Sequence, residues 1–429
     1  MRRFRRSTAV AILAVGIALC GLTSALAYNL PFVQERVAWR VSELRARIKY
    51  ALFPPEEAVF TPNPTVAAMV QRTLAALTPT PTASPTPGPT ATPAPSPTPT
   101  LVPTPLPTSV QLAGVRHEYQ RWNNCGPANL SMALSYWDWD GDQGDTAPIL
   151  KPNPRDKNVM PYEMASYVED YTGFDVVVRI GGDLDVLRRL IAAGYPVLIE
   201  KGFEGPGFEG WMGHYELLTG YDDARQRFTA QDSYILPDLP VPYDQVETYW
   251  RHFNNTFLVI YPPEDESEVL SLLGPLADET TARQVAAQRA SDEIFSLTGR
   301  DVFFAWYNRG SSLVALQDYA GAAAAYDMAF QLYAELDPET RPWRMVWYQT
   351  GPYFAYFYSG RYDEVIRLAT LTLGTMEEPV LEESYYWRAL AREQLGDLGG
   401  AVEDLRTSLV YHTDFGPSLS ALERLGATP

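Results

Sequence analysis

Cys125 stands in the sequence setting of an activated nucleophile. It is the only cysteine outside the apolar N-terminal segment, and Gly126 and Pro127 follow it directly. Proline suits the first turn of a helix, because its missing N–H needs no partner there. The helix predicted from this point to about Trp137 would direct its positive dipole end and free backbone N–H groups at the sulfur. Such surroundings lower the pKa of a thiol and favour the reactive thiolate; the alternative interpretation is a buried structural cysteine.

His214 and Asp232 could complete a catalytic group with this thiol. Apolar and β-branched patterns predict two strands, 215–221 and 227–231, joined by a turn at 222–225. His214 opens the first strand and Asp232 ends the second, so the open end of the hairpin would bring them together. A Cys–His pair needs a third group that accepts from the other imidazole nitrogen, which Asp232 could do. The alternative for His214, one of four histidines, is a partly buried structural role.

The surrounding patterns predict an α+β domain over residues 109–263, with helices first and an antiparallel sheet afterwards. The stretch 138–158 is rich in Asp, Pro and Gly and is predicted to be irregular. Its acidic residues 138–145 resemble a calcium loop in spacing, but Gln143 replaces the required glycine and Ile149 replaces the bidentate glutamate, so we expect no metal site. Further helices are predicted at 161–171 and 184–193, and further strands at 174–180, 196–200 and 257–261.

The order of these residues resembles a known family over residues 114–262. Gln-x4-Cys-Gly-Pro-Ala begins at Gln120, Gly-His-Tyr-x4-Gly-Tyr-Asp contains His214, and Gln-Asp-Ser contains Asp232. This order is similar to the papain-like, bacteriocin-processing (double-glycine) cysteine peptidases, family thirty-nine, in their stand-alone form. The resemblance implies a papain-like fold, with Cys125 as nucleophile, His214 as general base and acid, and Asp232 as the group that orients the histidine.

The same resemblance implies that Gln120 supplies a side-chain N–H to an oxyanion hole, together with the backbone N–H of Cys125. The two residues are five positions apart, whereas papain-like enzymes often show six. The sequence contains no Gly-x4-Gly-Lys motif of a nucleotide-binding domain. The resemblance therefore does not imply cleavage of double-glycine leaders during export. It implies only a site for acyl transfer to a thiol.

Residues 266–425 have a helical pattern with a weak internal repeat. Three segments share glycine, tyrosine and small residues at matching positions, and they begin at Gln317, Gly360 and Gly396. They resemble the turns of tetratricopeptide repeats, which recur about every ~34 residues. The wider first interval predicts a longer loop at 336–344, and 280–297 predicts an additional packing helix. A concave surface that binds a peptide or protein is expected; the alternative is a helical array that only packs against the first domain.

Residues 1–27 predict a signal anchor or a signal peptide. Four arginines precede the uncharged stretch 7–27, which has about the ~20 residues needed to cross a bilayer. Ala25-Leu-Ala27 fits a cleavage site, although the apolar run is long for a signal peptide and favours an anchor. A lipid on Cys20 is disfavoured, because Leu19 stands where a small residue is expected. The expected location is the cell membrane, single-pass with extracytoplasmic domains, or secretion after cleavage.

A juxtamembrane segment, 28–77, and a disordered Pro/Thr-rich linker, 78–108, are predicted next. Twelve of the 31 linker residues are proline and none is charged. Such a segment favours extended polyproline II at ~3.1 Å per residue, or about 90 Å in all, so we expect a stalk that holds the folded domains clear of a membrane. The net charge of −18 leaves no basic patch for nucleic acid.

The leading hypothesis is an extracytoplasmic cysteine peptidase, a thiol hydrolase that cleaves peptide or amide bonds by a Cys-His-Asp mechanism. The expected partners are a peptide or protein substrate, a protein on the helical repeats and a membrane at the N-terminal helix. No cofactor is expected. The alternative is a non-catalytic peptide-binding module built on a degenerate peptidase-like domain. Retention of Cys125, His214 and Asp232 favours the enzyme.

Overall fold

The computed structural model describes residues 31–63, 105–204 and 210–429, with side chains from residue 40 onward in the first range. The predicted signal segment 1–27 and most of the linker 78–108 lie outside the described residues. The chain divides into two units, 1–57 and 58–429. The first contains helix α1, Pro31–Leu52, and a short 3₁₀ turn, Pro55–Glu57. Among the described residues, no helix is both long and apolar enough to span a membrane.

The second unit contains a sheet domain whose helices cover both faces of one antiparallel sheet. Its strands are β1 Ser109–Gln111, β2 Asp175–Arg179, β3 Val197–Phe203, β4 Met212–Asp222, β5 Arg227–Gln231, β6 Leu239–Pro242 and β7 Phe257–Tyr261. Its helices are α2 Cys125–Ser135, α3 Gln143–Leu150, α4 Pro161–Tyr171, α5 Leu184–Ala192, α6 Tyr243–Arg251 and α7 Glu266–Leu273. The strand order is β2-β7-β3-β4-β5-β6, and β1 pairs with the end of β4. The α+β prediction is confirmed.

Side-chain alternation along the central strands explains why both faces are covered. Leu198 on β3 packs with α2, α3 and α4, whereas its neighbours Val197 and Ile199 pack with α5, α6 and α7. Because successive side chains of a strand point to opposite faces, a strand that is apolar at every position needs helices on both sides. The whole of β3 is accordingly buried.

Three details of the sheet domain differ from prediction. The stretch 138–158 contains α3, and Asp142 caps it through a reciprocal bond with Asp145, so these two acidic side chains cap a helix. The sequence did not predict this helix because Gly144 and Pro148, two residues of low helix propensity, lie in its first two turns. Strand β4 begins at Met212, so His214 is its third residue rather than its first. The elements β1, β6 and α6 were not predicted. Strand β1 is short, and β6 contains Pro240 and Pro242, which argue against a strand and directly precede α6.

The remainder of the second unit is helical, as predicted. It comprises α8 Glu279–Ser296, α9 Arg300–Ala315, α10 Tyr319–Glu335, α11 Met345–Tyr348, α12 Gly351–Tyr358, α13 Tyr362–Thr375, α14 Glu382–Gln394, α15 Leu398–Tyr411 and α16 Gly416–Arg424. The predicted turn residues Gln317, Gly360 and Gly396 have positive φ angles of 63°, 72° and 84° and lie between paired helices. The helical hairpins are thus confirmed; their assignment as tetratricopeptide repeats stays a prediction.

The helical region packs directly on the sheet domain. Asn308 of α9 donates to the carbonyl of Arg251 at 2.7 Å, and Asn254 donates to Ser312 at 2.9 Å. Trp211 stacks on Phe253 at 5.6 Å within the same aromatic core as α9 and α11. Part of the helical surface therefore packs on the sheet domain; binding of a peptide or protein by the remainder stays a prediction.

Residues 58–63, which precede the linker, also belong to this unit. The Phe60 ring is 4 % exposed and contacts Phe330 at 5.0 Å, while the backbone N–H of Asn63 donates to Glu364 at 2.7 Å. Since 105–111 also lies in this unit, the segment 64–104 joins two points of one body. Most of the predicted stalk lies outside the described residues, so the stalk stays a prediction.

We predict that Gly202→Ala destabilises the protein. A Cβ at Gly202 would lie 2.1 Å from Nδ1 of His252 and 2.5 Å from Nε1 of Trp211, two buried rings that share a 3.0 Å hydrogen bond. Overpacking of this kind costs about 1–3 kcal/mol, which a lower thermal unfolding midpoint would report. Gly173→Ala is the control, because no atom lies within 4 Å of its added Cβ. Equal midpoints for the two variants would contradict the prediction.

Candidate active site

The Cys125 thiol lies at the first residue of α2 and faces strand β4. Its side chain is half-buried, and it is hydrogen-bonded by the His214 imidazole and by the backbone N–H of Tyr215. Burial raises the pKa of Cys125, but the hydrogen bond and charge of His214, the charge of Lys151 and the Tyr215 N–H together outweigh it. The net pKa is therefore below the ordinary value. The predicted helix start and a lowered thiol pKa are both present.

His214 and Asp232 form the second contact of the site. His214 Nε2 lies 3.1 Å from Asp232 Oδ2, and both side chains are buried. Burial alone would lower the pKa of His214, but the charge and hydrogen bond of Asp232, followed by those of Cys125, raise it to about 9. With Nε2 directed at Asp232, Nδ1 is the ring nitrogen left for the thiol. The structure thus brings together the three residues that the sequence singled out.

The Asp232 carboxylate is itself fixed by the backbone after it. Its Oδ1 accepts from the N–H groups of Tyr234 and Ile235, each at 2.7 Å. Burial raises the pKa of Asp232, yet the charge and hydrogen bond of His214, the charge of Lys201 and the Ile235 N–H hold that pKa well below its usual range. An ionised Asp232 keeps a proton on Nε2 and so determines which tautomer His214 adopts.

Asn129 joins the elements that carry these groups. Its Nδ2 lies 2.9 Å from each of three oxygens: the Cys125 carbonyl, the Tyr215 carbonyl and the Ser233 hydroxyl. The side chain is fully buried, so it replaces water at all three. Because the two carbonyls can only accept, the nitrogen end of the amide must face them. One side chain therefore positions α2, β4 and the residue after Asp232.

Gln120 lies beside the same group. Its backbone N–H donates to the Ser233 carbonyl at 2.8 Å, and its Oε1 accepts from the Ser233 hydroxyl at 2.8 Å. This bond orients the side-chain amide and leaves Nε2 as the end that Ser233 does not use. The structure places Gln120 next to the loop that carries Asp232; its role in an oxyanion hole stays a prediction.

Sequence reasoning missed three residues of this site: Asn129, Lys151 and Ser233. Lys151 is 4 % exposed, and its Nζ donates to the carbonyl of Asn123 at 2.5 Å and to Oδ1 of Asn124 at 3.4 Å, the two residues before the thiol. Ser233 could have been found from the sequence, because it is the last residue of the Gln-Asp-Ser motif. A buried lysine and a mid-helix asparagine carry no local signal, since both act through contacts far along the chain.

The helical region also reaches the site. The Tyr348 hydroxyl is hydrogen-bonded by the backbone of Gly213, the residue before His214, and the charge of Cys125 helps to raise the pKa of that hydroxyl after burial. Arg344 donates to the Trp211 carbonyl at 2.9 Å. The start of β4 is therefore held from one side by α11, which makes the helical region a neighbour of the thiol.

Residues 107–257 match the model of the Peptidase_C39 like family. Among solved structures, the chain is similar to a putative C39-like peptidase from Bacillus anthracis, with 17 % sequence identity and a TM-score of 0.29. That likeness covers 35 % of this chain and 96 % of the other. No curated protein matches the sequence. The family match agrees with the resemblance seen in the motifs and with a papain-like cysteine peptidase fold for the sheet domain.

We predict that His214→Ala raises the pKa of Cys125. The variant removes a hydrogen bond and a positive charge while the thiol stays buried, so the alkylation midpoint should rise by about one unit or more. The measurement is the pH dependence of the iodoacetamide reaction in the full-length chain with Cys20→Ser, which leaves one thiol. His412→Ala is the control, because its imidazole is not among the groups that shift Cys125. An unchanged midpoint in His214→Ala would refute the Cys–His pair.

Lys151→Met should also raise the alkylation midpoint of Cys125, but by less than His214→Ala does. The Lys151 charge acts on the thiolate after the two contributions of His214. Lys157→Met is a matched control, since burial lowers the pKa of both lysines to about 8 while only Lys151 acts on the thiol. If the two methionine variants gave the same midpoint, Lys151 would have no part in activating Cys125.

Proposed function

We propose that the sheet domain is a cysteine peptidase-like thiol hydrolase, with Cys125 as nucleophile, His214 as general base and acid, and Asp232 as the orienting group. The observation that carries the proposal is the continuous contact from the thiol through the imidazole to a buried carboxylate, 3.1 Å from Nε2. The family match over residues 107–257 supports it. A lowered thiol pKa beside a raised imidazole pKa favours a thiolate–imidazolium pair.

The reaction follows from this pair. The thiolate attacks the carbonyl carbon of a peptide bond and forms a tetrahedral intermediate with a negative oxygen. His214 gives its proton to the leaving amine, and the C–N bond breaks to leave a thioester on Cys125. Water then attacks the thioester, His214 takes one of its protons, and the acid is released with the thiol restored. The backbone N–H of Cys125 at the start of α2 and Nε2 of Gln120 are the proposed donors to the oxyanion.

We also propose that the enzyme works outside the cytoplasm and that the helical region recruits a protein or peptide. The apolar segment 7–27 motivates the first part. The contacts of α11 with the start of β4 support the second, because a chain bound on the helical region would lie beside the thiol. The competing function is peptide binding without cleavage, and a substituted nucleophile separates the two.

We expect Cys125→Ala to lower the hydrolysis of a fluorogenic peptide library by the full-length chain at least about a thousandfold.

The wild-type rate should rise as Cys125 ionises and fall again as pH passes about 9, where His214 loses the proton that the leaving amine needs. Gln120→Ala should lower kcat by about a hundredfold in the same assay.

Equal cleavage by wild type and Cys125→Ala would refute the proposal that Cys125 is the nucleophile of a peptidase. Unchanged peptide binding by Cys125→Ala, with no cleavage by either protein, would establish the binding module.

A further inference from the structure

A group of potential metal ligands lies where the sheet domain meets the helical region. Glu163 is in the first turn of α4, Glu382 is the first residue of α14, and His412 directly follows α15. One ligand atom from each residue lies within 4.8 Å of the other two. His412 Nδ1 is 2.9 Å from Oε1 of Glu382. Three elements from two regions thus converge on one point, far along the sequence from the thiol.

Two neighbouring carboxyl groups at the start of α14 are buried. Glu382 and Glu383 are 4 % and 6 % exposed. Glu383 Oε1 accepts from Asn158 at 3.3 Å, but its Oε2 has no hydrogen-bond partner in the described part of the chain. A buried carboxylate oxygen without a partner is costly, and it is a common mark of a missing cation or water.

Glu383 follows Glu382 on α14 and is likewise buried. The Glu163 carboxylate accepts from the backbone N–H of Met160 at 2.7 Å. Across the described residues, neither Glu163 nor Glu382 nor Glu383 forms an ion pair with a lysine or arginine, and His412 is the only basic side chain paired with Glu382. Two carboxyl groups and one imidazole therefore meet at a partly buried point, without an ion pair to lysine or arginine among the described residues.

We propose that Glu163, Glu382 and His412 bind a divalent transition-metal ion of the Zn²⁺ type, which joins the sheet domain to the helical region. Zn²⁺ accepts both imidazole nitrogen and carboxylate oxygen at ~2.0–2.2 Å, so two tetrahedral ligand atoms lie about 3.4 Å apart. To reach this spacing, the 2.9 Å between His412 Nδ1 and Glu382 Oε1 would lengthen, and separations of up to 4.8 Å would shorten. Water would supply the fourth ligand. Ca²⁺ and Mg²⁺ should bind less well, because both prefer ligand sets made entirely of oxygen.

The experiment measures Zn²⁺ uptake by the full-length chain in detergent, without a histidine tag and after treatment with a chelator. The cysteines are replaced (Cys20→Ser and Cys125→Ser), so Zn²⁺ cannot bind at the proposed nucleophile and the result is independent of the proposed function. Calorimetry and metal analysis should give one tight Zn²⁺ per chain, with weaker binding of Ca²⁺ and Mg²⁺. The thermal unfolding midpoint should rise with Zn²⁺ concentration.

Glu382→Gln and His412→Gln should each weaken Zn²⁺ binding at least about tenfold, whereas Glu403→Gln, an exposed change on α15, should not. In chelator, Glu382→Gln should unfold at the same temperature as its parent or higher, because it removes a buried negative charge; in Zn²⁺ that order should reverse. This reversal separates lost binding from misfolding. No stoichiometric Zn²⁺ in the parent protein, or equal affinities in Glu382→Gln and Glu403→Gln, would overturn the proposal.

Discussion

The buried amide of Asn129 is the constraint on which the site depends. Its nitrogen contacts the Cys125 carbonyl, the Tyr215 carbonyl and the Ser233 hydroxyl, so it fixes the helix of Cys125, the strand of His214 and the loop of Asp232 at once. Tyr215 and Ser233 lie 86 and 104 residues from Asn129 along the chain. Because the amide is fully buried, losing one of these bonds would leave a carbonyl without water to replace it. The thiol, imidazole and carboxyl group are therefore positioned by a buried side chain that is not one of the three.

The same principle links the helical region to the site. Strand β4 extends to Met212 before the hairpin that the sequence predicted, and its first residues are held by Arg344 and Tyr348 of the helical region. Trp211 and Phe253 complete the contact from the sheet domain within one aromatic core. Detaching the helical region would expose this core and release the strand that carries His214. The two regions consequently behave as one unit, and the helices are part of the scaffold of the site.

Local sequence signals sufficed to single out Cys125, His214 and Asp232, which the structure brings together, and to predict most helices and strands. Pro127, the alternation along β4 and β5, and the turn residues Gln317, Gly360 and Gly396 each act over a few positions, so a sequence pattern can reveal them. The misses have another physical origin. Helix α3 depends on a capping box that overrides Gly144 and Pro148, and Lys151 approaches the thiol only because α3 packs beside α2. Docking of Phe60 on the helical region is a contact across some 270 residues, which no local pattern encodes.

Most of the ionisable groups of the site are buried, and charged side chains of opposite sign on the sheet lie beside them. Lys201 on β3 is the cross-strand partner of His214, and it forms a buried ion pair with Glu216 at 2.7 Å. Together with Cys125, Asp232 and Lys151 these residues make six ionisable groups, three acidic and three basic. When all are ionised their charges cancel, so no isolated charge is left in a medium of low dielectric constant. Lys201 lowers the pKa of Asp232, Asp232 raises that of His214, and His214 lowers that of Cys125. Lys201 thus influences the thiol only through Asp232 and His214, and the hydrogen bond and charge of His214 lower the pKa of Cys125 most.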